Sequence, residues 1–199
     1  MSAVRQARQT ELAEVSRVLA LAFQDDPFWR WLIREGEGYQ QRLERGFMAQ
    51  LQHMALPRGL IHTAEGIPGA AVWSPPGTWE TNLFRHLRFL PQLAALLGPA
   101  RMPSRMLGIH RVQRLHPDYP HWYLQILGVD PGRQGKGWAR TLLSPVLERC
   151  DRDQLPAYLE TCNPDNIPLY RGFGFALVNE VTLGRDAPTA WCMERPPQS

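Results

Sequence analysis

The chain has 199 residues, of which 44% are hydrophobic and 21% are charged, and its formal net charge at pH 7 is +3. This length and composition predict a single globular domain over residues 1–199 with a real buried core. No apolar run reaches membrane length, the first residues do not begin a signal peptide, and no dense basic stripe with interleaved aromatic residues is present. We therefore expect a cytoplasmic protein that binds neither a membrane nor a nucleic acid.

The cysteine pattern points away from disulfides and metals. The chain has three cysteines, an odd number, and they lack the spacing of metal ligands: Cys150, Cys162 and Cys192. The sequence therefore predicts three free thiols and no metal site.

The first half of the chain shows alternating strand and helix patterns. We predict a strand over residues 3–7 and a helix that begins after an N-cap at Thr10 and ends at Phe23. A helical region then covers residues 28–56, with an interruption near the glycines of residues 36–38. Residues 60–64 and 69–73 read as two strands of an antiparallel hairpin.

Residues 78–121 form a long segment before the next strand, and within it a helix is predicted from leucines at helical spacing, with a break at Pro91. These are Leu83, Leu87, Leu90, Leu93, Leu96 and Leu97. A second helix is predicted over 105–115. A strand follows from Tyr123 to Val129, and it is apolar on both faces, as a central strand should be. A helix with one apolar stripe covers residues 139–150, although Pro145 lies inside its pattern and favours a kink.

The loop between this strand and this helix, Gln134 to Ala139, is poor in side chains. Its backbone amides can converge on a guest, and the start of the following helix adds unpaired N–H groups and a positive dipole. The expected guest is an anion such as a diphosphate. A P-loop is excluded because Trp138 follows the last glycine, and a dinucleotide fingerprint because Arg140 replaces its third glycine.

The last part of the chain contains a second motif. Residues 158–163 read as a strand, and residues 163–175 carry asparagine, leucine–tyrosine and glycine–phenylalanine in a fixed order. Residues 178–183 and 189–193 form a closing antiparallel pair, and the tail from 195 to 197 is expected to be loosely attached.

The two motifs together, Gln134-x-x-Gly137-x-Ala139 and Asn163…Leu169-Tyr170…Gly174-Phe175, resemble the GNAT superfamily of N-acetyltransferases. The resemblance implies an α/β (α+β) fold: a mixed, mostly antiparallel central sheet flanked by helices and splayed at the central strand. Residues 78–121 would be a helical insertion before that strand, and residues 122–175 the acyl-CoA-binding core.

The resemblance further implies acetyl-CoA as cosubstrate. Strand backbone would pair with the pantetheine amides, loop amides would hold the pyrophosphate, and an asparagine would hydrogen-bond the cofactor. These positions are Leu127, Gly128 and Val129; Gln134, Gly135, Lys136, Gly137, Trp138, Ala139 and Arg140; and Asn163. Gly128 in a strand favours a close approach or a bulge. The cations Arg133, Lys136 and Arg140 either reach phosphate oxygens or are solvated surface.

Tyr170 matches the tyrosine of the family that protonates the departing sulfur, with a buried core tyrosine as the alternative. Candidates for the base are Glu160, beside the cleft, and His121, before the central strand. Glu160 could instead bind a cationic acceptor or form a structural ion pair, and His121 could be structural.

The resemblance makes Asp25, Asp26 and Trp31 candidate acceptor contacts, although aromatic residues in this segment are more typical of a core. Three sequence features resemble the puromycin N-acetyltransferase branch of this superfamily. They are Pro145 inside the helix, the strand Leu159-Glu160-Thr161 and the ending Trp191-Cys192-Met193. We therefore predict acetyl transfer to the primary amine of a small molecule, by a monomer or homodimer. A non-catalytic acyl-CoA sensor or interaction module and a protein or peptide N-acetyltransferase remain alternatives.

Overall fold

The structure is a computed structural model, and it describes residues 3–52, 60–78 and 96–198. The helices in these ranges are α1 (Leu12–Ala22), α2 (Pro27–Leu32), α3 (Tyr39–Gln50), α4 (Met102–Gln113), α5 (Trp138–Asp153) and α6 (Ile167–Arg171). The strands are β1 (Arg5–Gln6), β2 (Leu60–Thr63), β3 (Gly69–Ser74), β4 (Trp122–Val129), β5 (Ala157–Thr161), β6 (Ala176–Thr182) and β7 (Thr189–Arg195).

The strands form one sheet in the order β1-β2-β3-β4-β5-β7-β6. β4 and β5 are parallel, and the other neighbouring pairs are antiparallel. This mixed, mostly antiparallel sheet with flanking helices confirms the predicted fold class. The parallel pair requires a crossover, which α5 provides.

The two central strands separate part of the way along their length. The β4–β5 ladder runs from Trp122 opposite Ala157 to Leu124 opposite Leu159, and neither strand's later residues take part in it. On the other side, β4 remains paired with β3 up to Val129. The far half of β4 therefore has a backbone edge that β5 does not cover, which is the splay that the resemblance implied.

A β-bulge lies where the two strands begin to separate. Val72 is opposite Ile126 and Trp73 is opposite Leu124, so Gln125 is the extra residue of β4. A bulge bends the strand and reverses the faces on which later side chains lie. Before it, Leu124 packs on the α5 face, and after it, Ile126 packs on the α1 face.

The prediction marked Gly128 as a bulge or a close approach, and the structure shows the close approach, because the bulge lies at Gln125. Gly128 packs directly beneath α1, where a Cβ atom would lie 2.7 Å from Leu19 Cδ2 and 3.0 Å from Phe23 Cε2. Only a glycine allows α1 to approach β4 this closely. The helix end is thereby placed over the open half of the strand.

Two apolar clusters cover the two faces of the sheet. One packs α1 and α3 against the sheet through residues such as Leu19, Phe47 and Val72. The other packs α5 through Leu143 and Val146. The sheet is therefore the central layer, and its splayed centre lies between the two helical layers.

Two terminal predictions were wrong in detail. Thr10 does not cap α1, because a 3₁₀ turn over Gln9–Glu11 precedes it. The tail is not loose at its start: Arg195 is 3% exposed and forms an ion pair with Asp151. Gln198 N also donates to Asp151 Oδ1 at 2.8 Å.

Several other predictions concern helices and thiols. The helix predicted from Leu83 to Leu97 lies outside the described residues up to residue 95, whereas α4 occupies the second helical stretch. α5 continues through Pro145 from Trp138 to Asp153.

All three cysteines are free thiols, as predicted. In the described ranges, no helix is long and apolar enough to cross a membrane.

Candidate functional site

A cleft of about 830 Å³ opens where β4 and β5 separate. Its walls are the end of α1 with the turn after it, the open half of β4, the loop that leads into α5, and α6. Each wall comes from a different part of the chain, and the splay brings them together.

The predicted strand contacts line this cleft. Leu127, Gly128 and Val129 all lie on its wall, on the half of β4 that has lost its β5 partner. Gln134 Nε2 donates to Val129 O at 3.2 Å, which connects the strand end to the loop. An extended ligand with amide groups can pair with this exposed strand edge as an added strand would.

The loop after β4 presents backbone N–H groups to the same cleft. Asp130 starts it by accepting a hydrogen bond from Gly132 N at 2.8 Å. Gly135 and Gly137 have left-handed φ values of 73° and 80°, which non-glycine residues rarely adopt. α5 begins at Trp138, so its first N–H groups point from the helix start toward the cleft. This arrangement suits an anion.

Cationic side chains surround the loop in different ways. Arg140 lines the cleft, and its guanidinium lies 5.0 Å from the centre of the Phe173 ring. Lys136 is exposed, is not among the lining residues, and donates to Gly132 O at 3.3 Å. Arg140 is therefore the cation that the geometry places best for a phosphate group.

Tyr170 lines the same cleft as the loop. α6 carries it, and the turn before α6 is capped by Asn163, whose Oδ1 accepts from Asp165 N at 3.0 Å. Both residues line the cleft. Tyr170 is 7% exposed, and burial, followed by the charge of Asp26, raises its pKa above the ordinary value of 10.0. Its phenol therefore stays protonated at neutral pH.

Two carboxylates stand at the end of the cleft formed by α1 and α2. Asp26 caps α2, because its Oδ1 accepts from Phe28 N at 3.0 Å and Trp29 N at 3.2 Å. Burial raises the pKa of Asp26, and the two backbone donors oppose that shift. Asp25 is exposed and pairs with Arg30 at 2.8 Å. The Asp26 carboxylate is thus fixed by the backbone of α2, whereas the Asp25 carboxylate is exposed to solvent.

Three other predicted residues do not line the cleft. Trp31 is 9% exposed and lies in the core, where Gly108 packs closely against its indole ring. Glu160 and His121 belong to a separate cluster near the paired ends of β4 and β5, where His116 lies between them. The structure therefore separates the predicted base candidates from the cleft wall and groups them with each other.

Sequence reasoning missed several lining residues. Leu169 and Phe173 share the cleft wall with Tyr170, and their spacing around α6 could have indicated that common face. Phe23 at the end of α1 is another. His116 had no signal in the sequence, because its partner Glu160 is 44 residues away.

Within the described ranges, no group of three or more His, Cys, Asp or Glu residues could hold a metal ion. The cleft instead combines an amide-rich loop, an open strand edge and a protonated phenol. These features suit an elongated, anionic ligand that carries an acyl group.

Comparison with known proteins agrees with this geometry. Residues 66–175 match the Acetyltransferase (GNAT) family, which is more than half of the chain, and the chain belongs to that family. It is 28% identical over 193 residues to an uncharacterized N-acetyltransferase of Schizosaccharomyces pombe, an alignment that covers 92% of this chain and 78% of the relative.

Two solved structures resemble the fold. "Histone acetyltransferase HPA2 and related acetyltransferase" from Corynebacterium glutamicum has a TM-score of 0.76 and 26% identity, covering 100% of this chain and 98% of that one. A putative acetyltransferase of Salmonella typhimurium, solved with its cofactor acetyl-CoA, has a TM-score of 0.52 and 17% identity, covering 100% and 95%. The protein is therefore a GNAT-type acetyltransferase, from a family whose members bind acetyl-CoA.

Proposed function

We propose that this protein transfers an acetyl group from acetyl-CoA to the primary amine of a small molecule. The observation that carries the proposal is the shared cleft, which both the glycine loop and Tyr170 line. The loop, with Arg140 beside it, suits the pyrophosphate, and the open edge of β4 suits the pantetheine amides. The thioester would then lie deeper in the splay.

Tyr170 is proposed to protonate the departing thiolate. When the amine nitrogen bonds to the acetyl carbon, the carbon–sulfur bond breaks and the sulfur needs a proton. The raised pKa of Tyr170 keeps its hydroxyl protonated at neutral pH, so a proton is present in the cleft when the thiolate forms. The sulfur would take that proton as it departs, and the phenolate left on Tyr170 would be reprotonated from solvent.

Asp26 is proposed to attract the acceptor. A half-buried carboxylate at the α1–α2 end of the cleft favours a cationic amine over a neutral or anionic compound. The resemblance to the puromycin branch suggests an aminoacyl or aminonucleoside-like compound, and a metabolic amine fits these residues as well. The insertion of residues 78–121 is long enough to roof an acceptor site.

Two alternatives remain. The name of the Corynebacterium glutamicum relative includes histone acetyltransferase, which favours a peptide acceptor as a second candidate. The same fold could also serve as a non-catalytic acyl-CoA sensor. Tyr170 in the cleft favours an enzyme, because a sensor has no use for a proton donor beside the thioester.

A spectrophotometric thiol-release screen with acetyl-CoA tests the proposal. It would compare antibiotics, aminoacyl compounds, polyamines and histone-like peptides at equal concentrations. We expect turnover with a small cationic amine. Efficient turnover of peptides alone would replace the proposed acceptor, and acetyl-CoA binding without turnover on any acceptor would support the sensor.

A further inference from the structure

A cluster of titratable side chains lies at the vertex between β4 and β5. The segment between α4 and β4 brings His116, Tyr119 and His121 back to the sheet, where they meet Glu160 of β5. The His116 and Glu160 side chains are 5% and 13% exposed, and His121 is 6% exposed. These are buried or nearly buried groups, and the proposed chemistry in the cleft has not used them.

The four groups form one continuous chain of contacts. His121 Nδ1 lies 2.7 Å from the backbone oxygen of Tyr119. His121 Nε2 lies 3.0 Å from His116 Nε2. His116 Nδ1 lies 3.4 Å from Glu160 Oε1.

Donor and acceptor chemistry assigns the protons in this chain. A carbonyl oxygen only accepts, so His121 Nδ1 carries a proton and neutral His121 presents a bare Nε2 to His116. His116 Nε2 must then donate. His116 Nδ1 and Glu160 Oε1 are left facing each other, and they attract only when a proton lies between them. The unit therefore has a place for one proton shared between an imidazole and a carboxylate.

The surrounding groups do not compete for that proton near neutral pH. The rings of Tyr123 and Tyr158 stand edge-on to His116, with centroids 4.7 Å and 5.1 Å away. Burial raises the pKa of both phenols, and it also raises that of Cys192 on β7. All three therefore stay protonated.

Glu194 of β7 is a further charged neighbour, and it accepts a hydrogen bond from the Tyr119 hydroxyl. Asp118 also lies close enough to act on Tyr119. Burial lowers the pKa of His121, and the hydrogen bond to the Tyr119 backbone and the carboxylates of Glu160 and Glu194 only partly oppose this. His121 is thus neutral near pH 7 and able to accept a proton at Nε2.

The unit stands at the closed end of the splay. The β4–β5 ladder ends at Leu159, and Glu160 is the next residue. Asn163, three residues further on, already lines the cleft. Glu160 is therefore the carboxylate at the vertex. It does not line the cleft, so a proton released at the thioester would have to reach it through water.

We infer that Glu160, His116 and His121 act as one proton-accepting unit that receives the proton lost by the acceptor amine. The inference rests on the proposed function. In this step the N–H bond of the ammonium group breaks and an O–H bond forms on Glu160. The proton then bonds to His116 Nδ1 while the Nε2 proton of His116 moves to His121 Nε2. Glu160 receives the proton, and the two histidines are positioning residues that disperse its charge.

The kinetic test compares His116→Gln with His110→Gln, an exposed histidine on α4. The glutamine at 116 keeps a polar side chain but cannot accept the proton. We expect kcat/KM for the amine to fall by about ten- to a hundredfold at pH 7. The loss should shrink as pH rises, because a larger fraction of the amine then arrives deprotonated. KM for acetyl-CoA and the activity of His110→Gln should not change.

Two results would overturn the inference. One is turnover of an amine by His116→Gln with the wild-type rate and pH profile. The other comes from nitrogen-15 NMR of the histidines, which needs no substrate: neutral His121 should carry its proton on Nδ1, and the His116 resonances should move in Glu160→Gln. Finding the Nε2–H tautomer at His121 would contradict the proton assignment. Absence of turnover on every amine would instead contradict the proposed function, so the two failures are distinguishable.

Discussion

At the scale of single residues, Tyr170 has the most specific proposed role. It is buried, it lines the cleft, and its pKa is raised by burial and by Asp26. A core tyrosine would share the burial but would have no reason to face a ligand cleft. The hydroxyl oxygen is therefore the atom to test.

Tyr170→Phe removes that atom and leaves the ring contact with Phe175, whose centroid is 6.0 Å away. We expect kcat to fall by roughly ten- to ten-thousandfold, the usual range for a general acid. The Kd for acetyl-CoA and the melting temperature should stay close to wild type. Calorimetry and steady-state kinetics measure these quantities, and unchanged kcat would return Tyr170 to a packing role.

Gly135 allows a matched test of the anion site. Its φ is 73°, a Cβ atom there meets nothing within 4 Å, and Asn and Asp tolerate this conformation better than other residues. Gly135→Asp adds a negative charge in the loop, whereas Gly135→Asn adds the same shape without it. We expect the aspartate variant to bind coenzyme A about tenfold or more weakly than the asparagine variant. Equal Kd values for the two variants, measured by calorimetry, would contradict the prediction that this loop binds the pyrophosphate.

At the scale of elements, the contact between α1 and β4 fixes one wall of the cleft. α1 crosses the sheet so closely that Gly128 has no space for a side chain. The bulge at Gln125 turns Gly128 toward that helix. The bulge therefore sets the face of β4 on which Gly128 lies, and the glycine sets how closely α1 approaches that face.

Gly128→Ala should force Leu19 and Phe23 away from β4, since the new Cβ would lie 2.7 Å and 3.0 Å from their carbons. We expect a loss of about 1–3 kcal/mol in the free energy of unfolding, the usual range for an overpacked core. Gly132→Ala is the control, because its Cβ would only touch Asp130 Oδ1 at 3.4 Å. Urea unfolding of both variants gives the comparison. Equal stability would mean that α1 shifts without cost.

At the scale of the whole molecule, β7 is joined to α5, the helix that follows the glycine loop. Arg195 Nη1 and Nη2 donate to the two carboxylate oxygens of Asp151 at 2.6 Å and 2.8 Å, and Arg195 Nε donates to Phe173 O at 2.9 Å. This contact joins β7, α5 and the turn after α6. It therefore holds two walls of the cleft in a fixed relation.

Asp151→Asn would leave the buried Arg195 without its counter-charge. We expect a loss of about 1–3 kcal/mol, below the full value for a buried pair because the Asp151 side chain is 28% exposed. Asp153→Asn breaks a more exposed pair with Arg149 and should cost about 0.5 kcal/mol or less. Urea unfolding at pH 7 measures both. A similar small effect for both would show that the tail contact does not support the fold.

The ion pair between Arg195 and Asp151 makes the stability of the fold depend on pH in a known direction. Arg195 lowers the pKa of Asp151 below its ordinary value of 3.8. The pair therefore stabilises the fold fully above that value, and its contribution disappears as pH falls through the lowered pKa of the folded state. In Asp151→Asn, the loss of stability below pH 4 should be shallower than in wild type.

The sequence alone determined the glycine loop between β4 and α5, the motif that carries Tyr170 and the family, because each follows from a contiguous pattern whose spacing directly sets local geometry. Strand and helix positions followed from hydrophobic periodicity for the same reason. Contacts over long sequence distances needed the tertiary structure. His116 meets Glu160, and Arg195 meets Asp151, across 44 residues in each case, and no local pattern links such partners. The bulge at Gln125 also escaped detection, because the sheet decides where an extra residue is accommodated and which face every later side chain of β4 takes.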